Sequence, residues 1–264
     1  MAPDPTRVPD ELVICAPMLA EYAAVRWGTR RGRRPDTALA GPAAGPAAGG
    51  SRFVHARVLR TGMGLARSQR AAAALLGNLA AARPRAASVV IAGVAGALRS
   101  SLSPGDVVVA DEVLGGERPR AVPDAASLAD GLRGAGLSVQ LGPVLSTSRL
   151  ACGDRADLHR RTGAIAVDME SAWLAEALTR ADIPVVRGFV LRLAVVRVVV
   201  DTPAAPLLHP LTVPNGVRAL RVLARVAATL PAWAAGTNSL AARPDGGLMR
   251  PTFPGLTGPS KEVS

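Results

Sequence analysis

Short runs of continuous apolar residues alternate along the chain with longer segments of helix-favouring composition. Runs without polar alternation are typical of strands that are buried on both faces of a sheet. One further run alternates between apolar and polar positions, as a half-buried strand does. The pattern predicts strands at residues 12–16, 53–59, 88–92, 107–110, 139–145 and 163–165 and within the apolar stretch 183–200.

Helices are expected between these strands, where good helix formers predominate and a turn signal or a proline closes the segment. Strands and helices that alternate without an internal boundary indicate a single α/β domain, with a central mixed, largely parallel β-sheet flanked by helices. We expect this domain to cover residues 12–235. The predicted helices lie at residues 19–27, 65–82, 150–161 and 217–228, with another that ends near Leu178.

Low-complexity segments flank and interrupt this domain. Residues 32–51 contain a repeated Gly-Pro-Ala-Ala unit and predict a mobile surface loop. The polar, proline-rich residues 1–11 predict a flexible tail. Residues 236–264, rich in Gly, Pro and Ser, predict a disordered one. We therefore expect the functional residues to lie within residues 12–235.

Two carboxylates, Asp168 and Glu170, stand where a short buried strand passes into a helix. Acidic side chains at a helix N-terminus can serve only as caps and as partners of the helix dipole. A carboxylate at the carboxyl end of a sheet strand can equally belong to a functional site, since open α/β folds bind ligands at that edge. The residues alone leave both interpretations open.

The charge balance of the chain is strongly basic. It has 31 Lys and Arg against 20 Asp and Glu, a formal net charge of +11, and Lys261 is the only lysine. Such a balance can favour nucleic acid or an anionic membrane surface. The arginines are scattered, however, aromatic residues make up only 3% and no zinc-finger spacing is present. We therefore expect no specific nucleic-acid partner.

The cysteine and histidine content argues against metal and disulfide chemistry. Cys15 and Cys152 are far apart in apolar surroundings, and the three histidines show no ligand spacing. The first ten residues do not resemble a signal peptide. The longest apolar run, residues 185–200, is interrupted by arginines and is too short to cross a bilayer. The sequence thus predicts a cytoplasmic protein that requires no metal or redox cofactor.

Three motifs follow one another in a fixed order: a glycine-containing segment with a following strand at 90–112, Ala-Val-Asp-Met-Glu-Ser-Ala at 166–172, and Arg-Val-Val-Val-Asp at 197–201. Together they resemble motifs of the nucleoside phosphorylase and nucleosidase superfamily, and in particular its methylthioadenosine/S-adenosylhomocysteine nucleosidase-like branch. Residues 197–203 and their Ala-rich context are similar to the branch associated with hopanoid lipid biosynthesis, whose enzyme removes adenine from adenosylhopane. The resemblance implies a nucleoside phosphorylase-like fold.

The resemblance also implies cleavage of an N-glycosidic bond to a purine, with roles for three carboxylates. Asp201 would protonate N7 of the leaving base, and Glu21 would activate a water molecule. Glu170 would accept hydrogen bonds from the ribose hydroxyls, with Met169 packed on the sugar. The alternatives are a turn cap for Asp201, a helix cap for Glu170 and an exposed helix face for Glu21.

The glycine-containing segment bears on the choice between hydrolysis and phosphorolysis. Gly93, Val94 and Ala95 predict a small-residue turn that permits close approach of a ligand. Neither a serine nor an arginine stands at the positions that phosphorolytic relatives use. Arg60 and Arg67, which flank a glycine turn, could still supply positive charge for a phosphate. The sequence therefore favours hydrolysis.

Two features depart from the family's pattern. Val200 stands where a serine or another small polar residue often precedes the aspartate. Residues 184–187 and 194–197 form a near-repeat, and only the second copy leads into an aspartate. A shift in strand register would therefore remove Asp201 from the site.

These observations predict a nucleosidase that releases adenine from a 5′-modified adenosine, with adenosylhopane as a candidate substrate. A phosphorolytic purine nucleoside phosphorylase is one alternative, and a degenerate protein that binds nucleosides without turning them over is another. The resemblance also implies a homo-oligomer of two or more chains. A lipid-linked substrate would add peripheral contact with a membrane, which the arginines could favour if they lay on one face.

Overall fold

A computed structural model describes residues 11–32, 55–82, 84, 86–149, 155–180, 190–204 and 212–241. The predicted loop at 32–51 lies outside these ranges except for its first residue, as do most of the two predicted tails and the first copy of the near-repeat, residues 184–187. The described elements pass the predicted bounds of the domain at both ends. The first strand begins at Glu11 and the last helix ends at Ala241.

Ten strands in the described part of the chain form one mixed sheet. Its order is β6-β5-β8-β9-β3-β10-β4-β7, with β1 paired to β3 and β2 paired to β1. The predicted α/β class, with a central mixed sheet flanked by helices, is confirmed. The strands are β1 (Glu11–Ala16), β2 (His55–Arg60), β3 (Ala86–Ala97), β4 (Val107–Val109), β5 (Glu112–Leu114), β6 (Arg120–Ala121), β7 (Val139–Leu141), β8 (Val144–Ser146), β9 (Ala166–Asp168) and β10 (Val190–Asp201).

The helices pack against the sheet and against one another. Helix α6 contacts α1 and α3 and also lies against β3 and β10, whereas α2 packs on α5. No helix in the described ranges is both long enough and apolar enough to cross a bilayer. The helices are α1 (Leu19–Arg31), α2 (Leu65–Ala82), α3 (Ala125–Gly134), α4 (Arg155–Thr162), α5 (Ser171–Arg180) and α6 (Thr212–Ala241).

The two longest strands, β3 and β10, lie side by side in the sheet. They run parallel and pair along their length, from Val190 opposite Ala86 to Asp201 opposite Gly96. Nearly every residue of β3 is buried, as expected for a strand enclosed on both faces. This register places the second copy of the near-repeat in the sheet. Asp201 consequently lies beside the glycine-containing segment.

The small residues from Gly93 to Gly96 do not form the turn that their composition predicts. They belong to β3, which continues to Ala97 and pairs near its end with both β10 and β9. A Cβ atom on Gly93 would overlap the guanidinium of Arg197, and one on Gly96 would lie 3.0 Å from Arg155 Nη1. The close approach expected of these glycines is therefore made within a strand and toward side chains of the protein itself.

The structure divides one predicted strand and adds elements that the pattern missed. The apolar stretch 139–145 contains two strands, β7 and β8, with Gly142 and Pro143 between them. Helix α3 and the short strands β5 and β6 are additional to the predicted elements. The two strands have only three and two residues, which is too short for a recognisable periodicity.

Helices α1 and α6 pack with their backbones in direct contact. A Cβ atom on Gly28 would overlap the carbonyl oxygen of Ala224, and one on Gly32 would overlap that of Ala228. Gly28 and Gly32 are four residues apart, as are Ala224 and Ala228, so both contacts lie along the same face of each helix. The packing therefore requires glycine on the α1 side.

Replacing Gly28 with alanine should push the two helices apart and lower the free energy of unfolding by about 1–3 kcal/mol. Gly77→Ala is the matched control, since an added Cβ on this exposed residue of α2 meets no atom within 4 Å. The control should raise the free energy of unfolding by about 0.5–1 kcal/mol. Urea titration followed by circular dichroism measures both changes. Equal effects of the two substitutions would contradict the close contact.

Candidate active site

The carboxyl ends of four strands surround a cavity of about 200 Å³. Open α/β sheets bind their ligands at this edge. The lining is largely apolar and also includes charged side chains. Residues following β1 contribute Pro17, Met18 and Glu21; β3 contributes Val94, Ala95 and Gly96; β9 and the residues after it contribute Val167, Asp168, Met169 and Glu170; β10 contributes Val200 and Asp201; and Met63, Thr147 and Arg155 complete the wall.

Glu21 lies in the first turn of α1 and points into the protein, with only 1% of its surface exposed. Its Oε2 accepts a hydrogen bond from the backbone N–H of Met18, and its Oε1 accepts one from Val94, both at 2.7 Å. Burial raises the pKa of Glu21, against the lowering effect of Arg197 and the two N–H groups. The structure thus brings Glu21 into the pocket, and the alternative of an exposed helix face is wrong.

A fully buried guanidinium, that of Arg197, was not predicted as a site residue. Its Nε lies 2.7 Å from Asp168 Oδ2, and its Nη2 lies 3.7 Å from Glu170 Oε2. Nε and Nη2 also donate to Ser171 Oγ at 3.1 and 2.9 Å. Burial alone would lower the pKa of Arg197, but Asp168, Glu170 and Glu21 raise it above its ordinary value. We refer to Arg197 and these three carboxylates as the Arg197 cluster.

The sequence does contain a signal for Arg197, because it is a charged residue within the otherwise apolar strand segment 195–200. A charge in a strand buried on both faces needs a buried partner of opposite charge. In the sequence, Arg197 stands out only as the first residue of the motif that ends at Asp201, and the need of this arginine for a buried acidic partner was not recognised.

Asp168 has the capping role that one of the two interpretations gave to the acidic pair. Its Oδ1 accepts hydrogen bonds from the backbone N–H groups of Glu170 and Ser171, each at 3.2 Å, where α5 begins. The hydroxyl of Ser146 donates to the same oxygen. The other oxygen faces Arg197. Asp168 therefore both caps α5 and holds the buried guanidinium.

Glu170 is also buried, with 5% of its surface exposed, and it lines the pocket beside Met169. Burial raises the pKa of Glu170 to about 7 against the opposing effect of Arg197, and the neighbouring carboxylates Asp168 and Glu21 add to the rise. The side chain is therefore divided between its protonated and ionised forms near neutral pH.

Asp201, the last residue of β10, is 3% exposed and forms a buried ion pair with Arg155. Arg155 Nη2 donates to Asp201 Oδ2, and Nη1 donates to the carbonyl oxygen of Ala97 at 3.4 Å. A Cβ on Gly96 would lie 3.0 Å from both Arg155 Nη1 and Asp201 Oδ1, so the pair rests against the backbone of β3. Sequence reasoning missed Arg155 because its helix, rich in arginine, is typical of an exposed surface element.

The other predicted residues divide into two groups. Val94 and Ala95 line the pocket, whereas Gly93 is not part of the lining and lies against the side chains of Arg197 and Glu21. Arg60 and Arg67 are exposed, and neither lines the pocket. The structure therefore places neither of the two arginines predicted to bind phosphate in the pocket lining.

Metal ligation and thiol chemistry have little support in the described residues. No group of three or more His, Cys, Asp and Glu side chains there is arranged to hold a metal ion. Burial raises the pKa of the Cys15 thiol to about 12, so the reactive thiolate is scarce at neutral pH. Among the described residues, the titratable groups that line the pocket are four carboxyl groups and the Arg155 guanidinium.

A mixed sheet with a carboxylate-lined pocket where β1, β3, β9 and β10 end is an arrangement typical of α/β proteins that bind ligands at the strand ends. The family model of the Phosphorylase superfamily matches residues 51–230. The chain belongs to this superfamily.

Several solved structures share the fold. The 5′-methylthioadenosine/S-adenosylhomocysteine nucleosidase of Helicobacter pylori is 16% identical, with a TM-score of 0.60, over 86% of this chain and 98% of that one. The S-adenosylhomocysteine nucleosidase of Streptococcus pyogenes is 20% identical, with a TM-score of 0.59, over 86% and 99%. The futalosine hydrolase of Helicobacter pylori is 16% identical, with a TM-score of 0.60, over 87% and 98%. Comparison with curated proteins gives no significant match.

Glu170 should make the stability of the protein depend on pH. Because its pKa is raised from 4.5 to about 7 in the folded protein, the folded state holds this proton more tightly than the unfolded chain does. Its stabilising contribution is therefore complete below about pH 4.5 and is lost as the pH rises to about 7. Relative to Glu170→Gln, the free energy of unfolding of the wild type should fall by on the order of 3 kcal/mol across this range.

Urea titrations of both proteins at steps across this pH range measure the difference. Glu117→Gln, at an exposed position, is the control and should keep the pH dependence of the wild type. A wild-type stability that rises with pH relative to Glu170→Gln would show that the buried carboxyl group is not the cause.

Proposed function

We propose that this protein is a nucleosidase that hydrolyses the N-glycosidic bond of a 5′-modified adenosine and releases adenine. The observation that carries the proposal is the meeting of Glu21, Glu170 and Asp201, from distant parts of the chain, in one buried pocket. The similarity in fold to solved nucleosidases supports the same class of reaction. The complete set of three carboxylates argues against a degenerate protein that only binds nucleosides.

Cleavage of a purine N-glycoside places three demands on a site. The leaving base must receive a proton, the ribosyl ring must be stabilised as it becomes cationic, and a nucleophile must wait on the opposite face. Holding all the groups in one pocket removes the entropic cost of bringing them together. The pocket offers a carboxyl group for each demand.

Glu170 is assigned to the ribose. Its carboxylate would accept hydrogen bonds from the hydroxyl groups and stabilise the positive charge that develops on the ring. The Met169 side chain, which also lines the pocket, would pack on the sugar. With a pKa of about 7, Glu170 is available as a carboxylate in a large fraction of molecules at neutral pH.

Glu21 is assigned to the nucleophilic water. Two backbone N–H groups fix its carboxylate, and a carboxylate still has lone pairs free to bind a water molecule. The upward shift of its pKa brings Glu21 closer to neutrality, where a general base works best.

Asp201 is assigned to the base, as the proton donor to N7. It lies against Gly96, whereas Glu21 lies against Gly93. These two positions on β3 are separated by about 10 Å along a strand. That separation leaves room for a ribose between the water and the purine edge. We call the part of the pocket formed by Gly96, Arg155 and Asp201 the base end.

The charges around the pocket favour water over phosphate as the nucleophile. Four carboxyl groups line it, and a phosphate dianion would be repelled by those that are ionised. The guanidinium of Arg197 is engaged with Asp168, and that of Arg155 is engaged with Asp201. The exposed Arg60 and Arg67 lie outside the lining.

Apolar side chains beside the pocket support an apolar 5′ substituent. Met63 lines the wall together with Pro17, and the backbone N–H of Gly62 donates to the carbonyl oxygen of Pro17 at 3.1 Å. Leu19, Met63 and Leu65 are 65%, 45% and 49% exposed. A lipid-linked nucleoside such as adenosylhopane would cover part of this surface. The predicted homo-oligomer and the predicted membrane contact would each cover the same exposed side chains, and both stay predictions.

The proposal is tested by incubating the purified protein with methylthioadenosine, adenosine and adenosylhopane, with and without phosphate, and measuring free adenine. Release without phosphate supports hydrolysis. Strict dependence on phosphate would identify a phosphorylase instead. Nucleoside binding without release of adenine from any of the three would identify a non-catalytic binder.

Asp201→Asn and Glu21→Gln should each lower kcat by about 10²–10⁴-fold, the usual contribution of a general acid or base. Each substitution keeps the shape of the side chain, so binding of an uncleavable nucleoside analogue should stay within a small factor of the wild type. Glu117→Gln is the exposed control. Turnover is followed by adenine release, binding by calorimetry and folding by circular dichroism. Normal turnover of Asp201→Asn would place the acid elsewhere.

A further inference from the structure

Arg155 is built into the base end of the pocket although it is the first residue of helix α4. It is only 8% exposed, and its guanidinium donates to both Asp201 and the carbonyl oxygen of Ala97. Gly96 leaves just enough space for it, because a Cβ there would lie 3.3 Å from Arg155 Cζ. The position of the guanidinium is therefore fixed by strand β3 as well as by Asp201.

The ion pair makes the two carboxyl oxygens of Asp201 unequal. Oδ2 accepts the hydrogen bond from Arg155 Nη2. Within the described part of the chain, no group hydrogen-bonds to Oδ1, which lies beside Gly96 at the pocket wall. A guanidinium carries only donors, so a proton on the carboxyl group cannot point toward it. The proton of the acid form must therefore lie on Oδ1.

We propose that Arg155 is a positioning residue for the proton donor of this site. By holding Oδ2, it directs Oδ1 and its proton toward N7 of the bound purine. This inference rests on the proposed function, in which Asp201 is the acid. It adds a residue on α4 that the family motifs of this chain did not indicate.

The charge of Arg155 also matters in the reaction step. The Oδ1–H bond breaks and an N7–H bond forms, while the bond between C1′ and N9 breaks and its electron pair passes to the purine. The water oxygen bonds to C1′ and its proton passes to Glu21. Asp201 is left as a carboxylate, and a guanidinium already in contact with it stabilises the charge that develops.

The other charged groups do not substitute for Arg155 in this step. Glu21, Asp168 and Glu170, which share the pocket, are acidic and would oppose a negative charge on Asp201. The second buried guanidinium, Arg197, is engaged within its own cluster. Arg155 therefore supplies the positive charge in direct contact with Asp201.

The experiment compares wild type, Arg155→Met and Arg155→Lys on two substrates, a 5′-modified adenosine and 4-nitrophenyl riboside. Nitrophenolate leaves without a proton, so it reports on every step except protonation of the leaving group. Arg161→Met is the matched control, because Arg161 lies on the same helix but is exposed and pairs with Asp157. Circular dichroism and thermal unfolding establish that each variant is folded.

We expect Arg155→Met to lower kcat on the adenosine substrate by about 10–100-fold, part of the contribution of a general acid, and to change the nitrophenyl riboside rate by less than about 3-fold. Arg155→Lys should fall between the wild type and Arg155→Met. Arg161→Met should match the wild type in every respect.

The outcomes separate this inference from the proposed function. If the wild type releases adenine from no nucleoside, both are overturned. If the wild type is active but the Arg155 variants lose equal factors on the two substrates, only the role of Arg155 is overturned. Arg155→Lys, which retains the buried charge, decides the question by its substrate ratio if Arg155→Met does not fold.

Discussion

The arrangement of the site depends on one buried cation. Arg197 has no exposure to solvent, and the three carboxylates of its cluster come from helix α1, from the end of β9 and from the segment that joins β9 to α5. Without the guanidinium, several ionised groups would share a low-dielectric space at a cost of several kcal/mol each. With it, the starts of two helices and the end of β10 are held in a fixed relation. The geometry of the candidate site and the folding of the chain therefore rely on the same electrostatic balance.

The glycines of β3 make this balance sterically feasible. The strand passes so close to both buried guanidinium groups that a methyl group at Gly93 would overlap Arg197, and one at Gly96 would crowd Arg155. Strand β3 thus passes against two charged systems, the Arg197 cluster at Gly93 and the base end at Gly96. Each guanidinium pairs with carboxylates that line the pocket.

Much of the fold could be predicted from local pattern, because continuous apolar runs mark buried strands wherever they occur. Glu21, Glu170 and Asp201 could be located because the segments around them resemble the motifs of a known family, whereas the apolar pattern alone left their roles open. The buried arginines that pair with these carboxylates could not be predicted from the sequence. Arg155 and Asp201 are 46 positions apart in the sequence. The residues next to Arg155 do not distinguish it from an exposed arginine on a helix. The composition of the segment from Gly93 to Gly96 predicts a turn. In the structure, pairing with strands on both sides overrides that composition, and the segment is part of β3.

The close packing of α1 on α6 ties the spacing of the site to the body of the protein. Helix α1 carries Glu21, and α6 also lies against β10, the strand that carries Arg197 and Asp201. A change in the separation of these two helices would therefore alter the distance between the proposed base and the proposed acid without touching either. Mutational tolerance should consequently be low along this helix pair, and random mutagenesis selected for activity should recover its residues alongside those of the pocket.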